Sequence, residues 1–424
     1  MEEQLVAYEE KNVDELISDI HSILGENLSE TEAQMASQPE IKPVKKAAAP
    51  VAVKKPAKNK KKKKPSFGRK LLSFIGKLLL VLLETVLLVA VAAYALMFIL
   101  AKGPSAHARD LFITSVRETS AVGFLANLFY TDEEIAAMMP TAAEENSPYM
   151  YTGPAEIQIM PTTRPTDPET GETPSGPQPD AWGLIDEDGD GIIIEDVKGE
   201  GFVGKMMVIL DPSRVIMGSD PSAYGSHGYT VGSMVKRYDG IAGINAGGFE
   251  DPNGQGNGSE PNSLVVYEGK TYYAGKGCKD GFVGIDSNNI LHVATKITTT
   301  QIKEKDIQYG VCFGPVLVTN GEACNFDHLV SGVNPRTAIG QRLDGAILML
   351  VIDGRQVISL GATYADLAEV FLAYGAVNAC NLDGGSSTIM SYKGEYINNC
   401  ASVVGIRPVP TTFVVLKEGD SSNG

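Results

Sequence analysis

Apolar positions are spaced in two contrasting ways along the chain. From Leu78 to Ala101 the sequence LLLVLLETVLLVAVAAYALMFILA runs for 24 residues with a single charge, Glu84, between Lys77 and Lys102. A helix of that length spans about 36 Å, more than the roughly 30 Å of a bilayer's hydrocarbon core, so a transmembrane anchor is predicted over residues 71–102. Further on, short apolar runs alternate with Gly, Asp and Asn punctuation. Strands are predicted at 206–210, 241–245, 264–267, 282–285, 311–318, 346–352, 376–382 and 412–416. Only two helices read clearly in this part, at 230–238 and 363–374, the second with Thr363 as N-cap and Gly375 at the C-cap position. The expected class is α+β, a mixed β-sheet domain with few helices, preceded by one transmembrane helix.

The flanking segments follow from composition. Residues 1–70 are expected to be cytoplasmic: the first 25 place Leu5, Leu16, Ile17, Ile20 and Leu24 among acids as an amphipathic helix, and a polybasic run follows. Between Lys42 and Lys77 there are fourteen Lys or Arg and no acid, whereas the far flank of the apolar stretch has only Lys102, His107 and Arg109 nearby. The positive-inside rule then places everything past Lys102 outside the cytoplasm, and the basic run also favours anionic lipid. A cleaved signal sequence ending near Ala106-His107-Ala108 competes with the anchor, but the apolar stretch exceeds the usual signal core. Glu84 reads as a side chain that snorkels or is protonated, or as a contact between helices. Residues 103–139 are expected to form short juxtamembrane helices. Residues 140–181 are a linker with nine prolines between Pro140 and Pro179, an extended spacer that would lift the following domain off the membrane. Residues 182–417 form the folded domain and 418–424 a tail.

Net charge is −16 for the whole chain, and the part after residue 102 holds 40 acids against 20 Lys or Arg. Such a surface repels phosphate polyanions, so nucleic acid is excluded as a partner. The five cysteines show no CxxC pair; a Cys380 to Cys400 bridge and buried free thiols are both open readings. Asp186, Asp188 and Asp190 with Gly191 resemble the first half of an EF-hand loop. Position twelve is Val197, however, so a hairpin turn is the simpler account and structural calcium the lesser one. No cofactor and no catalytic metal are expected.

Four segments carry clustered polar groups, three of them with glycines at the end of an apolar run: Asn245-Ala246-Gly247-Gly248-Phe249, Asn334-Pro335-Arg336-Thr337, Asp353-Gly354-Arg355 and Asn381-Leu382-Asp383-Gly384-Gly385-Ser386-Ser387. Polar side chains and glycines at strand ends are where a sheet protein places a site. Taken in this order, and with Asp211-Pro212-Ser213-Arg214 and Gly314-Pro315-Val316-Leu317 in support, the segments resemble the phosphodiester glycosidase family over about residues 196–417. The resemblance implies an α+β hydrolase domain that splits the bond between a sugar's anomeric carbon and a phosphodiester oxygen. Its substrate would be a phosphodiester-linked carbohydrate, in envelope polymers or exported glycans.

Roles follow from residue chemistry. Asp383 is expected to activate water or attack the anomeric carbon, and Arg336 to grip phosphate bidentately. Asp353 and Asn245 complete the catalytic set, with Asp353 equally readable as a hairpin turn. Gly247, Gly248, Thr337, Gly384, Gly385, Ser386 and Ser387 are expected to line the substrate site, the glycine amides cradling phosphate oxygens. Glu250 and Asp251 are reserve carboxylates. His227, His292 and His328 fit no triad pattern and read as surface or packing residues. Two rival functions remain: a silent surface protein that binds polysaccharide, and a phosphodiesterase that cleaves the phosphorus–oxygen bond.

Overall fold

The computed structural model describes residues 67–117, 119, 122–138, 157, 179–278, 281–326, 332–402 and 405–419. The expected N-terminal amphipathic helix, the Lys60–Lys64 run, His328 and almost all of the proline-rich spacer lie outside these residues. Helix α1 (Phe67–Lys102) is followed by α2 (Ala106–Arg117) and α3 (Asp132–Met138). Within α1, Phe74–Lys102 is long and apolar enough to cross a membrane, and nearly all of its large apolar side chains from Phe74 to Ile99 are exposed. Contacts divide the chain inside this helix, and residues 79–424 form the larger unit.

From residue 192 onward the chain builds three sheets in which every strand pair is antiparallel. The first contains, in spatial order, β1 (Ile192–Gly199), β2 (Phe202–Ile209), β13 (Ile347–Ile352), β12 (Arg336–Arg342), β14 (Ala376–Asn381), β10 (Val316–Thr319) and β11 (Glu322–Ala323). The second runs β16 (Glu395–Tyr396), β15 (Met390–Tyr392), β4 (Gly240–Asn245), β17 (Thr411–Leu416) and β3 (Val215–Ser219). The third runs β6 (Lys270–Tyr272), β5 (Val265–Tyr267), β9 (Ile307–Cys312), β7 (Phe282–Asp286) and β8 (Leu291–Ala294). The α+β class holds, but the expected mixed sheet is replaced by antiparallel ladders. Hairpins and long returns connect the strands, and the few helices are not used as parallel crossovers.

The inner faces of the three sheets share one apolar core, where Met207, Met217, Ile244, Ile285, Val311, Ile339, Met349 and Phe413 meet. Period-two alternation then turns the next residues outward, and helices cover them. Helix α6 (Tyr364–Ala373) packs Leu367, Ala368 and Phe371 against Leu348, Leu350 and Ala338. Helix α4 (Val231–Arg237) does the same for the second sheet through Val231, Met234 and Val235, and Ile302 of α5 (Thr299–Glu304) for the third. Thr363 caps α6 in a capping box with Asp366, and Gly375 takes φ +78° beyond its end, as its sequence predicts.

Two charged clusters tie down the domain's start. Arg342 is fully buried, stacks over Trp182 at 3.9 Å, and donates to Asp180 (2.6 Å) and Asp344 (2.6 and 3.0 Å). In the acidic turn, Asp186 accepts the amides of Gly189 and Gly191, while Lys393 reaches Asp188 and Asp190 at 2.8 and 3.1 Å. A lysine ammonium thus already pairs with two of the three carboxylates that calcium would need. Millimolar calcium is expected to leave the melting temperature unchanged; a rise in a thermal scan would contradict this. A disulfide joins Cys278 to Cys312, which leaves Cys380 buried and Cys400 half-buried as free thiols.

Candidate active site

The site grows from the ends of three strands. Strand β14 ends at Asn381, and after the buried Leu382 comes Asp383, whose amide donates to Ala246 O just past the end of β4 (3.0 Å). Asn245, the last residue of β4, is wholly buried and binds in three directions. Its Nδ2 donates to Asp383 O (2.6 Å), and its Oδ1 accepts Thr337 Oγ1 (2.8 Å) and the amide of Ile389 (3.1 Å). Leu382 N donates to Thr337 O (2.8 Å) and Gly385 N to Pro335 O (2.8 Å), which lays the 382–387 loop along the start of β12. Asn245, Thr337 and Asp383, far apart in sequence, therefore share one corner. Asn245→Ala leaves three buried partners unsatisfied and is expected to cost about 3 kcal/mol or more in a urea titration.

The glycines of this corner close the loop on itself. A Cβ on Gly384 would lie 2.7 Å from Pro335 O, and Gly385 takes φ +60°, so neither position tolerates a side chain. Their amides are engaged: Gly384 bonds the Asp383 carboxylate and Gly385 the Pro335 carbonyl. Gly247 N likewise donates to Thr411 Oγ1 (2.9 Å), and a Cβ on Gly248 would meet Asn262 and Phe313 at 2.8 and 2.9 Å. These glycines shape the corner through close approach, and the amides of Gly247, Gly384 and Gly385 are engaged within the protein.

Asp383 is half-buried, and its environment is unusual for a carboxylate. Burial pushes its pKa up to about 7, against the opposing hydrogen bond from Ser387 and the attraction of Arg407, with Asp251 adding repulsion. Arg407 organises the opposite wall. Its guanidinium forks onto Asp251 (2.6 and 2.8 Å), reaches Ser386 Oγ at 3.1 Å and Gly256 O at 3.2 Å, and lies 4.9 Å from the Phe249 ring. Burial alone would raise Asp251, but the Arg407 bonds and the Gly256 amide hold its carboxyl below the usual range. Arg355 closes the rim: a Cβ on Gly385 would be 3.3 Å from its Nη2, which also donates to Asn334 Oδ1 at 3.1 Å.

Two expected residues stand apart from this corner. Arg336 leaves β12 on the face opposite Thr337 and is buried. Its Nε donates to Ala362 O (3.1 Å) and its Nη2 to Gly332 O (2.7 Å), and the guanidinium stacks on Tyr364 at 4.3 Å. Strand alternation explains this: when Thr337 faces Asn245, its neighbour must face α6. Arg336 thus braces the loops behind the site, and Arg407 and Arg355 are the guanidinium groups beside Asp383's loop. Asp353 is also a brace. Its carboxylate accepts the amide of Asn399 (2.9 Å) and the side chains of Asn399 (2.9 Å) and Asn398 (3.3 Å), and Asn398 in turn holds Thr388 O and the amide of Met390. His292 pairs with Asp286 at 2.9 Å inside the third sheet, and His227 lies exposed beside Tyr229.

Residues 238–416 match the phosphodiester glycosidase family. This matched stretch, less than half of the chain, is a phosphodiester glycosidase family domain. This stretch contains every residue of the corner from Asn245 to Arg407. Among curated relatives, the chain is 29% identical over 204 residues to the SPbeta prophage-derived uncharacterized protein YomE of Bacillus subtilis (strain 168), covering 46% of this chain and 31% of that protein. It is 36% identical over 82 residues to the N-acetylglucosamine-1-phosphodiester alpha-N-acetylglucosaminidase of Bos taurus, covering 18% of this chain and 15% of that enzyme. The chain thus spans less than a third of the length of either relative. Among solved structures, the zebrafish N-acetylglucosamine-1-phosphodiester alpha-N-acetylglucosaminidase catalytic domain, auto-inhibited by its pro-peptide, has a TM-score of 0.45 at 18% identity, covering 53% of this chain and 82% of that one. A hypothetical protein from Synechocystis has a TM-score of 0.38 at 16% identity, covering 53% and 62%.

Proposed function

We propose that the glycosidase domain hydrolyses a sugar-1-phosphodiester outside the cytoplasm, on a chain anchored by α1. The observation that carries this reading is Asp383. It is a carboxylate poised near neutrality by burial, at the meeting point of three strand ends, in a domain of the matching family. In its charged form Asp383 takes a proton from the attacking water, or attacks the anomeric carbon itself to form a glycosyl ester that water then hydrolyses, releasing the sugar and restoring the carboxylate. The bond from that carbon to oxygen breaks, and the second product leaves as a phosphate monoester. That group is already a stable anion, so no strong general acid is needed to protonate it. The Arg407 guanidinium, held by Asp251, and the Arg355 guanidinium are assigned to stabilise the charge that grows on the departing oxygens.

The membrane placement is supported by three features. These are the apolar stretch Phe74–Lys102, the fourteen basic residues on its N-terminal side, and a Cys278–Cys312 disulfide that suits an oxidising compartment. The full chain in detergent micelles should release free sugar from methyl N-acetylglucosamine-1-phosphodiester, the sugar being the one in the bovine relative's name. Saturable binding of that compound without turnover would favour a surface protein that only holds carbohydrate.

A further inference from the structure

The hairpin that follows β13 points large apolar side chains into solvent at the rim of the site. Arg355 N donates to Leu360 O (3.1 Å), and Gln356 and Ser359 exchange backbone bonds (2.9 and 3.2 Å), so Val357 and Ile358 form the tip of a closed turn. Val357 is 101% exposed, Ile358 69% and Leu360 61%. The base is fixed, since Ser359 Oγ donates to Asp353 O (2.6 Å) and Leu360 N to Gly201 O (2.8 Å). Turn tips are ordinarily built from Gly, Asn, Asp or Ser. An ordered tip of valine and isoleucine marks a surface that something apolar covers.

A separate set of contacts identifies the covering surface. At the hairpin's base, Arg355 Nη2 donates to Thr119 Oγ1 (2.7 Å), and beside it Val333 N donates to Ser115 Oγ (2.9 Å). Ser115 and Thr119 belong to the segment that follows α1, and this segment packs on the last turns of that helix. Tyr130 Oη donates to Ala101 O (2.6 Å), Lys102 sits 3.5 Å from the Tyr130 ring, and Phe129 lies 5.8 and 6.4 Å from Tyr94 and Phe98. The same segment exposes Phe124 and Leu128. Aromatic rings and a lysine at the end of an apolar helix are the usual furniture of the headgroup layer.

We propose that the Val357–Ile358 tip dips into the outer leaflet beside the anchor, so that the Asp383 corner faces the bilayer and takes a sugar phosphodiester whose aglycone is a lipid. The substrate part rests on the glycosidase reading above. Water's oxygen joins the anomeric carbon, the bond from that carbon to phosphate oxygen breaks, free sugar departs, and the lipid phosphate monoester stays in the leaflet. Apolar insertion must supply this contact, because the extracytoplasmic part carries 40 acids against 20 Lys or Arg and is repelled by anionic headgroups.

Two measurements on the full chain in phosphatidylcholine vesicles test the proposal. Val357→Trp should show a blue-shifted emission component, absent from wild type, that brominated lipids quench. An added component that brominated lipids leave untouched overturns the insertion, including the case in which a second copy covers the tip. The Val357→Asp, Ile358→Asp double variant should hydrolyse the methyl phosphodiester of N-acetylglucosamine 1-phosphate within twofold of wild type and the vesicle-bound hexadecyl phosphodiester at least tenfold more slowly. Equal effects on both compounds, or none, overturn the lipid substrate. If wild type hydrolyses neither compound, the glycosidase reading itself fails, while the quenching result still decides the insertion.

Discussion

Asp383→Asn is expected to lower sugar release by about 10³-fold, within the range a positioned base contributes, while the domain stays folded. The same residue sets the pH profile. Both roles open to Asp383 need the ionised carboxylate, so kcat/KM of wild type should fall as pH drops through about 7, where the buried group takes up its proton. Stability should move the other way. The folded pKa lies above the unfolded value, so between about pH 4 and 7 the native state binds the extra proton, and stability declines as pH rises through that window. Above it, wild type carries a charge that burial disfavours, and the asparagine variant does not. Allowing for partial exposure, Asp383→Asn should therefore be more stable by about 1 to 3 kcal/mol at pH 8, and nearly equal to wild type near pH 4. A pair of thermal scans at the two pH values checks the sign. An inactive variant that is also less stable at pH 8 would point to a structural role instead.

Arg407→Ala carries the second large effect. It removes the fork on Asp251 and the bond to Ser386, leaving a mostly buried carboxylate without its principal partner. Loss of such a pair costs about 2 to 4 kcal/mol, and activity should fall by about 10²-fold through lost charge stabilisation and a loosened loop. Arg407→Lys keeps the charge but not the two parallel bonds. It should recover part of kcat and little of the stability. Steady-state kinetics beside urea titrations separate the two contributions, and unchanged turnover in Arg407→Ala would remove this residue from the site.

Continuous apolar runs made much of the sheet legible in sequence: β2, β4, β13, β14 and β17 fall where their hydrophobic residues place them. Strand β12 was not legible. Arg336, Thr337, Gln341 and Arg342 are all buried there, each satisfied by partners on other elements, so neither an apolar run nor alternation marks the strand. The run 311–318 divides into β9 and β10 at Pro315, which has no N–H to give a ladder.

The corner of the site was legible for a different reason. Asn245 and Asp383 each stand where an apolar stretch yields to polar residues and close-approach glycines, so those strand ends announce themselves, whereas Thr337 was marked only by the polar Asn334-Pro335-Arg336-Thr337 segment. Arg407 carried no such signal, being a lone arginine before Pro408 and the last strand. Its partner Asp251 was visible only as a spare acid. Arg336 shows the limit of reading a motif without its faces: the segment lies beside the Asp383 loop, while its guanidinium points to the far side of the strand.

The central claim concerns which bond breaks, and hydrolysis in ¹⁸O-labelled water tests it most directly. Mass spectra of the products from methyl N-acetylglucosamine-1-phosphodiester, taken early enough to precede exchange of the sugar's anomeric oxygen with solvent, should show one ¹⁸O in the released sugar and none in the methyl phosphate. Label in the phosphate, with unlabelled sugar, would mean attack at phosphorus and would contradict the account.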